Sequence, residues 1–371
     1  MAPEVMLRYS EASPVHFRGG SSEWTLDSEC RSALRSCAAC ARDERSFAAL
    51  RMTCLAVVVL CWAFSAFASE ELKAKPVPRL QAIPQPYDQV SFQRDGQEIA
   101  RYHFGRDLRR PFVFPIVGPS GRPLTRMGHP RDPESHSHHN SVWVSHHIVN
   151  GVDFWGDRGS GKGKIVHQRI EKLEDEPHPG DVAAVTAVNH WVNEQDNRVL
   201  FVERRRKEVR LLEAGEWLLV LDLHLEAKDG PVTLGKTPFG LVGVRMAKTI
   251  GVHDGGGTVR NSEGGVNEKG VFWKKARWVD YSGPVAGNVS EGVTLMDHPS
   301  NPNHPSVFHV RDDGWMGASL TFDGERVVRP GQPLELRYGL YVHAGVPPPE
   351  KLEAQWKSFA ADPMPPAAKA P

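Results

Sequence analysis

Six of the 17 histidines in this chain fall between His129 and His147, inside the run GHPRDPESHSHHNSVWVSHHIVNGVDFW from Gly128 to Trp155. An imidazole titrates nearer neutral pH than any other side chain and is also a common metal ligand. Two kinds of chemistry would use such a pile-up. One is general acid/base work at a sugar or carbonyl oxygen. The other is a divalent metal site of two or three imidazoles with a carboxylate such as Asp153 or Glu134; His136, His138 and His139 are the candidate ligands. Ser141–Val149 reads as a strand and Pro133–Asn140 as a loop. Strand alternation places His136 with His138 and separates His139 from them, as it separates His146 from His147. The same parity groups His146 with Val142 and Val144, which read as core. That stands in tension with a chemical role for His146.

Two further stretches carry polar groups. Asp297-His298-Pro299-Ser300-Asn301-Pro302-Asn303-His304-Pro305 is stiffened by three prolines and holds donors and acceptors. Arg260-Asn261-Ser262-Glu263-Gly264-Gly265 offers a carboxylate in a glycine-rich loop where a backbone can approach a ligand. The plain alternatives are a turn-rich connector and a solvated loop glutamate. Gly255-Gly256-Gly257 lacks the Lys-Ser/Thr that a phosphate loop needs.

The elements that must hold these residues are mostly short strands bounded by Gly, Pro or Asp: Val90–Phe92, Glu98–Phe104, Phe112–Val117, Lys164–Leu173, Val182–Val192 and Val199–Leu212. In Glu216–Glu226 the residues Trp217, Leu219, Leu221, Leu223 and Leu225 share a face, with Asp222, His224 and Glu226 opposite. Leu334–His343 repeats that design, with Glu335, Arg337, Tyr341 and His343 on its polar side. Such faces are expected to be open to a cleft or to water. Pro348–Ala361 reads as a helix with a Leu352, Trp356, Phe359 stripe. About 15 strands and one late helix predict an all-β fold, a large antiparallel β-sandwich with a short C-terminal helix.

Lys+Arg and Asp+Glu balance at 45 each, and no polybasic block occurs. Nucleic acid is therefore not an expected partner. All five cysteines lie at or before Cys61. Met52–Ala68 is an apolar run ending in Ala66-Phe67-Ala68, with Arg42, Arg45 and Arg51 upstream: the pattern of a cleaved export signal. Residues 1–51 read as a mis-called start or a disordered extension, 69–85 as a linker, 86–346 as the sandwich, and 347–371 as helix and tail. The expected product, cleaved near Ala68, is periplasmic or extracellular. It lacks cysteine, which removes thiol nucleophiles and Cys-ligated zinc. No apolar run of about 20 residues follows Ala68, so no membrane-spanning helix is expected in the mature chain.

Several stretches in this order resemble the PmoA family of exported bacterial proteins. They are RPFVFPIVGPSGRPLTR (Arg110–Arg126), HHNSVWVSHHIVNGVDFW (His138–Trp155), GLVGVRMA (Gly240–Ala247), GGTVRNSEGG (Gly256–Gly265), ARWVDYSGPVAG (Ala276–Gly287), DHPSNPNHPSVFHVRDDGWMGAS (Asp297–Ser319) and LELRYGLYVHAG (Leu334–Gly345). The family pattern His-His-x-Ser-Leu-Trp followed by His maps onto His138, His139, Ser141, Trp143 and His146. Relatives are expected to carry Gly where this chain has His147. The resemblance implies a galactose-mutarotase-like supersandwich, with histidines and a carboxylate in a sheet-lined sugar cleft. The methane-oxygenase label that travels with the family belongs to an integral membrane subunit.

On this reading the ligand is a carbohydrate or another small polar molecule. His146 or His139 acts as acid and Glu263 as base. His138, Trp143, His298, Asn301 and His304 bind substrate; Trp155, Trp273 and Trp315 are further stacking candidates. The reaction class is epimerisation, lyase action or hydrolysis, with no cofactor needed. A non-catalytic carbohydrate-binding or scaffold protein and a metal-dependent enzyme are the alternatives. Oligomeric state is not readable.

Overall fold

The computed structural model describes residues 77–128, 136–159, 162–175 and 181–365. All belong to one unit, Lys75–Pro371. The extension, the export signal, His129 and Glu134 lie outside the described residues.

The strands in chain order begin with β1 (Leu80–Gln85), β2 (Gln89–Arg94), β3 (Gln97–His103), β4 (Phe112–Ile116) and β5 (Val142–His146). Next come β6 (Gly163–Asp175), β7 (Val182–Asn193), β8 (Arg198–Leu211), β9 (Trp217–Ala227), β10 (Val232–Leu234) and β11 (Gly240–Arg245). The rest are β12 (Thr258–Asn261), β13 (Lys274–Lys275), β14 (Trp278–Ala286), β15 (Val289–Asp297), β16 (Val307–Arg311), β17 (Trp315–Ser319), β18 (Arg326–Val328) and β19 (Leu334–Ala344). One sheet has nine strands, in the order β1-β2-β3-β4-β5-β11-β17-β16-β13. A second has eight, β12-β14-β15-β19-β9-β8-β7-β6, and β10 pairs with β18. The ladders are antiparallel, as in β5 with β11 and β9 with β19. The fold is thus the predicted all-β antiparallel sandwich. The strand β1 corrects the linker expected over 69–85. Its Pro84 is tolerated because β1 is an edge strand, where a missing N–H leaves no ladder bond unmade.

Alternation along each strand builds the core. Val142 and Val144 of β5, Val242 and Val244 of β11, and Met316 and Ala318 of β17 pack against Trp217, Leu219, Leu221 and Leu340 of the other sheet. The polar sides of β9 and β19 are not an open cleft. Leu218, Val220 and Tyr341 there, with Trp278 and Met296, lie under the C-terminal helix α1 (Pro349–Ala361), which inserts Leu352 and Phe359. Each of those two side chains contributes about 2 kcal/mol by its burial. His343 is wholly buried against Asp280, 2.9 Å away, and Asp222 is buried beside Arg337.

Candidate functional site: a cleft floored by tryptophan

The outer face of the nine-stranded sheet carries the site. Register aligns Phe112, Trp143, Gly243, Gly317 and His309 across β4, β5, β11, β17 and β16. Paired residues in an antiparallel ladder project to the same face. The two glycines leave room for large rings. A Cβ on Gly243 would stand 2.7 Å from Trp315 and 2.9 Å from Trp143, and one on Gly317 2.7 Å from Trp315. Trp143, Trp155 and Trp315 accordingly pack on one another, with centroids 5.3 to 5.7 Å apart.

Above this floor opens a cleft of about 650 Å³. The loop before β5 supplies His136, His138 and His139, and the turn after it supplies His147 and Asp153. His309, Arg311, Asp313 and Trp315 come from β16, β17 and their turn. Arg110, itself buried, ties the segment before β5 to the one after it. Its guanidinium donates to the carbonyl of His138 (2.9 Å), Asn140 Oδ1 (2.9 Å), and the carbonyls of Phe154 (3.0 Å) and Trp155 (2.5 Å). A planar fork of five donors suits that task and a lysine would not. The loop also closes on itself, through Gly128 N–H to the His139 carbonyl at 2.7 Å.

The imidazoles stack instead of converging. His139 lies between His136 and Trp315, with centroids at 4.6 and 4.8 Å, and His138 meets it edge-on at 4.5 Å. His139 is 4 % exposed, and its Nδ1 has no hydrogen-bond partner. Burial, then the charges of Arg245 and Arg126 together with the neighbouring imidazoles, holds its pKa well below the usual value. His138 is lowered to about 4, by burial and then by Arg110. His309 is also lowered to about 4, by burial and then Arg311. The Trp315 indole donates to His309 Nδ1 at 3.1 Å, so the neutral ring carries its proton on Nε2. Three neutral imidazoles, one of them in a fixed tautomer, therefore sit in or beside the cleft at pH 7.

Two carboxylates share it. Asp153 accepts from the backbone N–H of Trp155 (2.7 Å) and Gly156 (3.0 Å) and pairs with Lys162. Burial alone would raise its pKa, but the Lys162 ammonium and those N–H groups hold it below the usual range. Asp313 pairs with the buried Arg245 at 2.8 Å and lies 3.9 Å from His136 Nδ1.

The site departs from the sequence expectations in several places. His146 is not in the cleft. It projects with Val142 and Val144 into the core and is fully buried. Thr321 gives its hydroxyl proton to the Gly235 carbonyl (2.9 Å), so His146 Nε2–H must donate to Thr321 Oγ1 (2.9 Å), while Nδ1 accepts from Ile148 N–H (3.1 Å). Burial lowers its pKa to about 4, and it is a neutral packing residue. Glu263 is exposed and pairs with Arg277 on the β12 side, away from the cleft. His298, Asn301 and His304 do not line the cleft either; they tie a loop together at the end of α1. His298 Nδ1 meets Ser300 and its Nε2 the Asp362 carbonyl, Asn301 bonds Asp297 and Arg337, and His304 bonds Asp297 and stacks on Trp356. The proposed metal set His136, His138 and His139 stacks ring on ring; among the described residues no group of three or more His, Cys, Asp or Glu is arranged to hold a metal ion. Trp143 and Trp315 are present but buried as floor, and Trp273 is exposed outside the cleft. The residues missed were His309, Arg311 and Asp313. His147, the departure from the family pattern, does line the cleft.

Fold and site together define an antiparallel β-sandwich protein with an aromatic, histidine-rich cleft on one sheet. Residues 89–357 match the family described as "Family of unknown function (DUF6807)", and the chain belongs to it. That match carries no PmoA label. No curated protein matches the chain. Among solved structures it is similar to heparan sulfate lyase HepC from Pedobacter heparinus, at 9 % identity and TM-score 0.36 over 81 % of this chain and 42 % of that one. It is also similar to a GalM/aldose epimerase homologue from C. elegans, at 8 % identity and TM-score 0.30 over 71 % of this chain and 98 % of that one. The chain thus spans less than half of the lyase.

Proposed function

We propose that the cleft binds a carbohydrate, or a polar ligand of similar size with one apolar face, and performs acid/base chemistry on it. The observation that carries this reading is the pairing of an indole floor with imidazoles held neutral. Aromatic faces take the C–H side of a sugar ring, and polar groups at the edge fix its hydroxyls. His309, with its proton fixed on Nε2 by Trp315, is the group that donates to a ligand oxygen. His139, with an unpartnered buried Nδ1, and His138 are the groups to exchange a proton with the ligand. Asp313, braced by Arg245, balances the charge that a protonated imidazole would bring. Epimerisation, lyase action and hydrolysis all fit this set.

Soluble glycans are first screened for quenching of tryptophan fluorescence. The ligands found are then incubated with the protein and followed by NMR for product. The expected result is binding that His309→Gln weakens at least about tenfold, the scale of one lost hydrogen bond to a polar ligand, and turnover that His139→Gln removes. Binding without product supports a carbohydrate-binding protein with an idle acid/base set; no binding of any glycan overturns the proposal. Export through the Met52–Ala68 segment is part of the same reading, since an extracellular protein meets free glycans. A mature N-terminus at Ser69 is its test.

A further inference from the structure

The row of rings that floors the cleft does not stop at its rim. His309 and Arg311 line the cleft, and both touch Phe272 outside it. The His309 ring lies 5.2 Å from the Phe272 ring, and the Arg311 guanidinium 5.4 Å from it. Phe272 carries Trp273 flat on its face, with centroids 4.4 Å and planes 21° apart, and Phe322 stands 5.5 Å from Trp273. On the inner side His309 is 6.0 Å from Trp315 of the floor. The rings thus run from Trp315 across β16 to the segment just before β13, the last strand of the nine-stranded sheet. Neighbouring strands stand about 4.8 Å apart, so the row reaches about 10 Å past β17, further than one sugar ring on the floor extends.

Trp273 is 48 % exposed, the one exposed tryptophan among the described residues. A ring left in water forgoes the stabilisation that burial would give it. Its backbone is left-handed, with φ 57°, a strained conformation for a bulky side chain. The fold holds it there through the Trp273 N–H, which donates to the Phe308 carbonyl at 2.9 Å. Core packing accounts for neither feature; a flat face presented beside a cleft accounts for both. The edge beyond is Lys274-Lys275, both exposed. Lysines on a sheet edge oppose the addition of a strand from another chain. The occupant that suits this row is therefore a molecule continuing out of the cleft, not a second copy paired on the edge.

We propose, on the carbohydrate reading of the cleft, that Trp273 on its Phe272 support is a second sugar-binding position, so that the ligand is an oligosaccharide or polysaccharide strand. One unit lies on the floor beside His309, and a further unit of the same strand lies on Trp273. Arg311, half exposed between the two, donates to hydroxyls of the units it flanks.

Xylo-, manno-, cello- and galacturono-oligosaccharides, each from the monosaccharide upward, are titrated into the full chain by calorimetry. Affinity is expected to rise about tenfold once the ligand spans both positions, and to level off beyond that. Trp273→Gly removes the ring and supplies the residue that this φ favours, so the variant is expected to fold. It should weaken binding of the long oligomers about tenfold, to the level of the short ones, and leave the short ones unchanged. Trp273→Tyr, which keeps a flat ring, should restore most of the gain. Affinity independent of length, long-oligomer affinity unchanged in Trp273→Gly, or equal losses for short and long ligands would each overturn the second position while leaving the cleft reading intact. Self-association in sedimentation that depends on Trp273 would give the ring to a second copy and overturn it as well. No binding by any series would overturn the cleft reading and the second position together.

Discussion

The Asp297–Pro305 loop and the loop leading into β5 are both dense in histidine, proline and small polar residues. In the first, the polar side chains are spoken for. Asp297 accepts from Asn301 Nδ2 (2.7 Å), Ser306 N–H (2.7 Å) and His304 Nδ1 (2.9 Å), and His298 is bonded at both nitrogens. In the second, the backbone is clamped by Arg110 while the rings face a cleft, and His139 keeps a buried nitrogen unpaired. The comparison separates scaffold from site. Similar residues make a strut where the fold consumes their hydrogen bonds, and the wall of a cleft where the backbone alone holds them in place.

The sharpest test of this contrast is Asp297→Ala. It removes the acceptor of three hydrogen bonds, two of them buried, and is expected to cost about 3 kcal/mol, read as a lower urea midpoint. Ligand binding by the cleft should persist wherever the variant is folded; its loss would show that the two loops act together. The next effect is on pH. His138 and His309 have folded pKa values of about 4, below the roughly 6.5 of an unfolded histidine. The unfolded chain therefore binds protons first as pH falls. The stabilising contribution of both rings is complete above about pH 6.5 and is lost progressively as pH falls toward 4. Histidine-ring NMR should give their midpoints near 4; midpoints near 6.5 would mean that the cleft is wetter and more open than its geometry. The smallest effect belongs to Glu263→Gln. An exposed pair with Arg277 contributes about 0–1 kcal/mol, so stability and cleft binding should both stay close to those of the unaltered chain. A large loss of binding would return Glu263 to the site.

Period-two alternation made the sandwich legible. The strand expected over Glu216–Glu226 is Trp217–Ala227, Leu334–His343 is Leu334–Ala344, and the helix begins one residue later than predicted. Half of the site was legible for the same local reason, since His138, His139 and Trp143 sit side by side in the text. The parity of His146 with Val142 and Val144 already pointed inward, and the structure follows the parity. His309, Arg311 and Asp313 carried no local signal. They reach the cleft only because β11 and β17 bridge β5 to β16, a pairing set by the register of strands some 160 residues apart in the chain. Glu263 and His298 looked equally chemical because sequence lists side chains and not their partners.

Gly243 and Gly317 face each other at the centre of the cleft floor, and neither position admits even a methyl group without displacing an indole. The depth of the chamber is consequently a property of the main chain. Any change in the shape of the cleft would have to come from its edge, at positions such as His147 and Arg311, because a side chain at either glycine would displace the rings beneath.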